Sequence, residues 1–254
     1  MSVNHSNNTE KPEVFPPTYW GFWGTLLWGV LIAVVFVILQ TVTIIVLLLV
    51  QGRTTPAAGF NQSFVAATTN GYYLSVVTFV TTIICTALVA GIIKLKKGSV
   101  LRDYLCVTIV PFKTMLTWGG ILAVFIALAD MLTLLLGRPV VTEFMSTIYT
   151  SAHPLWMLWI ALIIAAPLFE EIFFRGFLYQ GLASGFPGPT GAVLITAGLW
   201  SLIHTQYDAY DKALIFFLGL LLGAARARTG SLLVPLGLHA ATNLEATIEA
   251  ALFG

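Results

Sequence analysis

Charge is what this sequence has least of. Asp, Glu, Lys and Arg together make up 9% of its 254 residues, against about 25% in soluble domains. A water-soluble globular surface cannot be built from so few. The formal net charge is +1 and there is no long basic run, so the chain carries no electrostatic footprint for nucleic acid. Only two cysteines occur. Cys85 and Cys106 lie in or beside apolar segments without metal-ligand spacing, and read as small core residues rather than a disulfide. No His-Glu-x-x-His is present, which excludes the single-helix zinc arrangement. A Gly-x-Ser-Gly nucleophile turn and a Gly-x-Gly-Asp aspartyl motif are missing as well.

What is there is apolar sequence. Hydrophobic residues make up 58% and the mean hydropathy is +0.91, the composition of a polytopic membrane protein. The expected architecture is all-α: a helical bundle of about seven transmembrane helices, with the functional site in the C-terminal four. Residues 1–18, rich in Asn and Pro, read as a disordered tail, and 19–254 as a single membrane domain. An aromatic cluster (Tyr19, Trp20, Phe22, Trp23, Trp28) marks an interface before a first span at 23–50, too long for a signal-peptide core. Further spans are expected at 72–93, 114–136, 155–182, 190–206, 212–225 and 232–252. The positive-inside rule, applied to Lys94, Lys96, Lys97 and Arg102, puts the N-terminus inside and the C-terminus outside. The short loops suggest a bacterial cytoplasmic membrane.

Against this background the stretch from Ala165 to Gln180 stands out, because it sets Glu170, Glu171 and Arg175 in apolar sequence. A charge at membrane depth costs about 2.5–3.5 kcal/mol on insertion scales, so the three together would cost roughly 9 kcal/mol if left alone. Residues four apart share a helix face, so Arg175 is the natural partner of Glu171. Glu170 points about 100° away and is free to face something else, as a general base must. At a rise of about 1.5 Å per residue, Glu170, His204 and His239 fall roughly 15, 21 and 12 Å from the cytoplasmic ends of their helices. Three helices thus bring polar groups to similar depth. His239 and Asn243, four apart, project from one face as a pair of anion-stabilising donors. A fourth acid, Asp130, has no partner legible in the sequence.

These residues carry a resemblance. Pro-Leu-Phe-Glu170-Glu171-Ile-Phe-Phe-Arg175-Gly, then Trp200-x-x-x-His204, then Arg228-Thr-Gly-Ser231 with Pro235, His239 and Asn243, resembles the CAAX-protease and bacteriocin-processing (CPBP, or Abi) family over residues 155–250. That family's motifs are Glu-Glu-x-x-x-Arg, Phe-x-x-x-His and His-x-x-x-Asn, in this order. The departure is Trp200, where the family usually has Phe. The resemblance implies an intramembrane endopeptidase acting on a membrane-associated protein or peptide, of CAAX type or of bacteriocin or leader-peptide type. It implies that Glu170 and His204 activate water, that His239 and Asn243 stabilise the oxyanion, and that Glu171 and Arg175 support the site. The expected partners are membrane lipid and the substrate. A metal-free site is favoured; if a metal is used, zinc on Glu170, His204 and His239 is the set the residues offer. The competing readings are a proton-coupled transporter, built on the same buried charges, and a non-catalytic membrane immunity or scaffold protein.

Overall fold

Long apolar stretches without turn residues must satisfy their backbone groups internally where there is no water, and the chain does so as helices. The computed structural model of the protein describes residues 18–52 and 59–254. The tail expected at 1–18 lies outside them apart from Thr18. Ten helices are present among the described residues: α1 (Phe22–Val50), α2 (Phe60–Thr68), α3 (Gly71–Leu95), α4 (Leu101–Tyr104), α5 (Phe112–Leu135), α6 (Glu143–Ser151), α7 (Leu155–Ala183), α8 (Gly188–Ile203), α9 (Ala209–Thr229) and α10 (Leu233–Phe253). Four of them, α1, α3, α5 and α7, are long and apolar enough to cross a membrane. The chain is an integral membrane protein. Of the seven expected spans, the remaining three correspond to α8, α9 and α10, which are shorter or carry more charge. The loops expected at 51–71 and 137–154 contain the short helices α2 and α6, whose nine residues each were too few to give a clear period.

Contacts between distant loops sort the helix ends into two sets. At one end, Thr18 donates to the Lys97 carbonyl (2.9 Å), the Leu232 amide donates to Cys106 O (3.0 Å) and Ser231 donates to Thr108 O (2.5 Å). At the other, the Gly71 amide donates to Ser151 (2.9 Å), Phe144 meets Tyr207 and Arg138 pairs with Asp208. Lys94, Lys96, Lys97, Arg102, Arg226 and Arg228 belong to the first end, Arg138 and Lys212 to the second. Gly230 ends α9 in the left-handed conformation (φ 63°), where a side chain would be strained.

α7 is the centre of the bundle and packs against α1, α3, α8 and α10. It is continuous but irregular, with π-helical turns at Ala161–Ala165 and Ile172–Leu178. Pro167, which has no amide hydrogen to give to Ile163, follows the first of them. Wide turns of this kind loosen the backbone ladder, and here other helices take up its carbonyls. Asn243 donates to Leu162 O (2.7 Å), Thr82 to Ala165 O (2.9 Å) and Arg226 Nε to Arg175 O (3.0 Å). The core around α7 is aromatic: Phe36, Phe169 and Phe173 stack in series, and Phe177 lies on Tyr104. Outward faces such as Leu27, Val30, Val34 and Val37 of α1 are exposed, the pattern of lipid-facing helix. Cys85 is buried as expected. Cys106 is not: it sits half-buried in the loop after α4 with φ 52°.

Candidate active site

Glu171 and Arg175 are both fully buried, and the pairing expected from their spacing is present, Arg175 Nη1 to Glu171 Oε1 at 2.9 Å. The same oxygen accepts a second hydrogen bond, from His239 Nδ1 at 2.9 Å. Sequence spacing gave no hint of this contact, because the two residues are far apart in the chain and meet only when α10 packs on α7. Arg175 also reaches Gly219 O through Nη2 (3.3 Å). Gly219 also lets α9 pack closely on α8, since a Cβ there would lie 3.1 Å from Ala197 and 3.2 Å from the Trp200 ring. Glu171 Oε2 and Arg175 Nε are buried without a protein hydrogen-bond partner among the described residues.

Glu170 faces elsewhere, as the helix geometry required. It is half-buried, and its Oε2 accepts from Trp200 Nε1 at 2.5 Å. Trp200 lies at the middle of the constellation. Its ring meets His204 and His239 edge-on, each at 5.1 Å between centroids, and the Arg175 guanidinium lies 4.6 Å from its centre. His204, expected towards the end of the 190–206 span, is the C-cap residue that follows Ile203 at the end of α8, and its Nδ1 faces the Trp200 carbonyl at 2.7 Å.

The hydrogen bonds decide which ring nitrogens are available. A carbonyl and a carboxylate can only accept, so Nδ1 carries the proton in both histidines. Each therefore keeps Nε2 for other chemistry. Asn243 lies one helical turn beyond His239, and one of its amide hydrogens is already given to Leu162 O. The other remains for a ligand. Beyond His204, Tyr207 stacks on its ring (centroids 6.2 Å apart) and lines a pocket of about 240 Å³ with Arg138, Thr142, Glu143 and Asp208.

Among the described residues, Glu170, His204 and His239 do not place three ligand atoms within 4.8 Å of one another. As arranged, they do not form a zinc site. The carboxylates that do come so close are Asp130, Glu245 and Glu249. The partners of Asp130 are thus on α10, and nothing in the spacing of the chain announced them.

The fold and the site together define an all-α integral membrane protein with a buried carboxylate, arginine and histidine cluster beside a second, half-buried carboxylate. Residues 152–244, a little over a third of the chain, match the family model described as Type II CAAX prenyl endopeptidase Rce1-like. The chain is also similar to an Escherichia coli protein described as an uncharacterized 24.3 kDa protein, with 37% identity over 97 residues. That alignment covers 37% of this chain and 43% of the relative, so the chain spans less than half the length of the curated relative it matches. No solved structure matches the chain.

Proposed function

We propose that the protein is an intramembrane endopeptidase that hydrolyses a peptide bond of a membrane-associated protein or peptide. The observation that carries this reading is the convergence of α7, α8 and α10 on one buried site. Glu170 faces away from the Glu171–Arg175 pair there, and two histidines each keep a free Nε2. Glu170 takes a proton from water, and the hydroxide oxygen bonds to the scissile carbonyl carbon. The unprotonated Nε2 of His204 accepts a hydrogen bond from the water's other O–H, which stays on the oxygen, and so fixes its direction. Charge then builds on the carbonyl oxygen, where the free amide hydrogen of Asn243 and an Nε2–H of His239 stabilise it. His239 can donate from Nε2 while holding Glu171 through Nδ1 only as the imidazolium, and Glu171 is the carboxylate that supports that charge. The carbonyl then re-forms as the C–N bond breaks, and Glu170 returns its proton to the departing amine nitrogen, so no proton is gained or lost over the cycle.

A metal-free site is part of this proposal, supported by the spread of the ligand atoms. So is a seven-span bundle with the Lys97 end in the cytoplasm, supported by the gathering of Lys and Arg at one end of the helices. We place the protein in a bacterial cytoplasmic membrane with CAAX-type or leader-peptide-type substrates. Glu170→Gln tests the mechanism: membrane proteomes of cells carrying wild-type or variant protein should differ by uncut precursors, while insertion is unchanged. Identical proteomes would sink the assignment.

A further inference from the structure

Trp200 has more attachments to the site than an aromatic wall needs. Only 2% of it is exposed, although it sits one turn from the end of α8. Phenylalanine could supply the ring that packs on His204, His239 and Arg175. Only the indole can supply the Nε1–H that reaches Glu170 Oε2.

We propose that Trp200 is a positioning residue for Glu170, an inference that rests on the reading of Glu170 as the general base. A carboxylate rotates freely about its last bond and can offer either oxygen. With Oε2 held by the indole, Oε1 is the oxygen left to take the proton from water. Trp200 keeps its own proton throughout and touches no reacting atom. Its ring also fixes the spacing of the two imidazoles, so one side chain registers the base on α7 against His204 on α8 and His239 on α10.

The test uses the full chain in detergent micelles with 15N-labelled tryptophan indoles. Seven indole signals are expected from seven tryptophans, and Trp200→Phe identifies one by its loss. Glu170→Gln should move that signal upfield, because an amide oxygen is a weaker acceptor than a carboxylate. Should Trp200→Phe fail to fold, Glu170→Gln alone should still move one signal markedly, with the rest nearly fixed. In the second arm, a quenched-fluorescence farnesylated peptide serves as substrate. A charge-assisted hydrogen bond of this type corresponds to roughly a tenfold to hundredfold effect. Trp200→Phe should lower kcat by that factor and leave KM within about threefold, since a positioning role acts on the transition state rather than on uniform binding. An indole signal unmoved by Glu170→Gln overturns the proposal, as does a folded Trp200→Phe with wild-type kcat. A wild-type protein that cleaves nothing in either this arm or the proteome comparison removes the peptidase reading and the catalytic half of this proposal. The indole signal still decides the contact.

Discussion

The buried ion pair offers the sharpest quantitative test. Glu171→Ala would leave the fully buried Arg175 without its carboxylate and His239 Nδ1 without its acceptor. Breaking a buried pair from one side costs about 3–5 kcal/mol, because an uncompensated charge stays out of water. The two unpartnered atoms already in the cluster, Glu171 Oε2 and Arg175 Nε, leave little reserve to absorb it. For a chain of this size about 2–4 °C accompany each kcal/mol, so the loss should read as roughly 6–20 °C in Tm in detergent. Replacing both partners by apolar groups, Glu171→Leu with Arg175→Met, removes both charges together and should restore most of that Tm. It should not restore cleavage, since His239 still lacks the carboxylate that supports its imidazolium. The double variant therefore separates stability from catalysis. A Tm for Glu171→Ala within about 2 °C of wild type would refute the energetic argument, and a double variant that cleaves normally would refute the role given to Glu171.

Two further outcomes concern the ends of the bundle. Asp208, in the loop before α9, accepts hydrogen bonds from the Asp211 amide, the Arg138 guanidinium and the Tyr210 amide, which together hold its carboxyl below the usual aspartate range. Its contribution is therefore complete above the ordinary value of about 3.9 and is lost as pH falls through the lowered one. Asp208→Asn keeps the helix cap and should flatten that acid limb of the Tm–pH curve, whereas an unchanged limb would assign the acid sensitivity to another group. For orientation, Thr205→Cys and Lys97→Cys are each placed in a Cys85→Ala, Cys106→Ser background. An impermeant maleimide added to intact cells should label the first, and reach the second only after permeabilisation. The reverse pattern would invert the proposed topology.

The sequence alone determined the membrane class, because 58% hydrophobic residues leave no other solvent for the chain. It also determined which charges were conspicuous, since Glu170, Glu171 and Arg175 are expensive wherever the helix goes. The four-residue step was enough to pair Glu171 with Arg175 and turn Glu170 away, for that geometry is local. The partners that come from other helices were not legible: His239 on Glu171, Trp200 on Glu170, and Glu245 and Glu249 beside Asp130. Their meeting depends on how α7, α8 and α10 rotate against one another. That rotation is set by packing terms spread over many residues, such as the Gly219 approach and the π-turns of α7, and no single spacing in the chain encodes them. So the expensive residues could be read from composition and period. Which oxygen and which ring nitrogen each has left for chemistry was decided only when the helices packed.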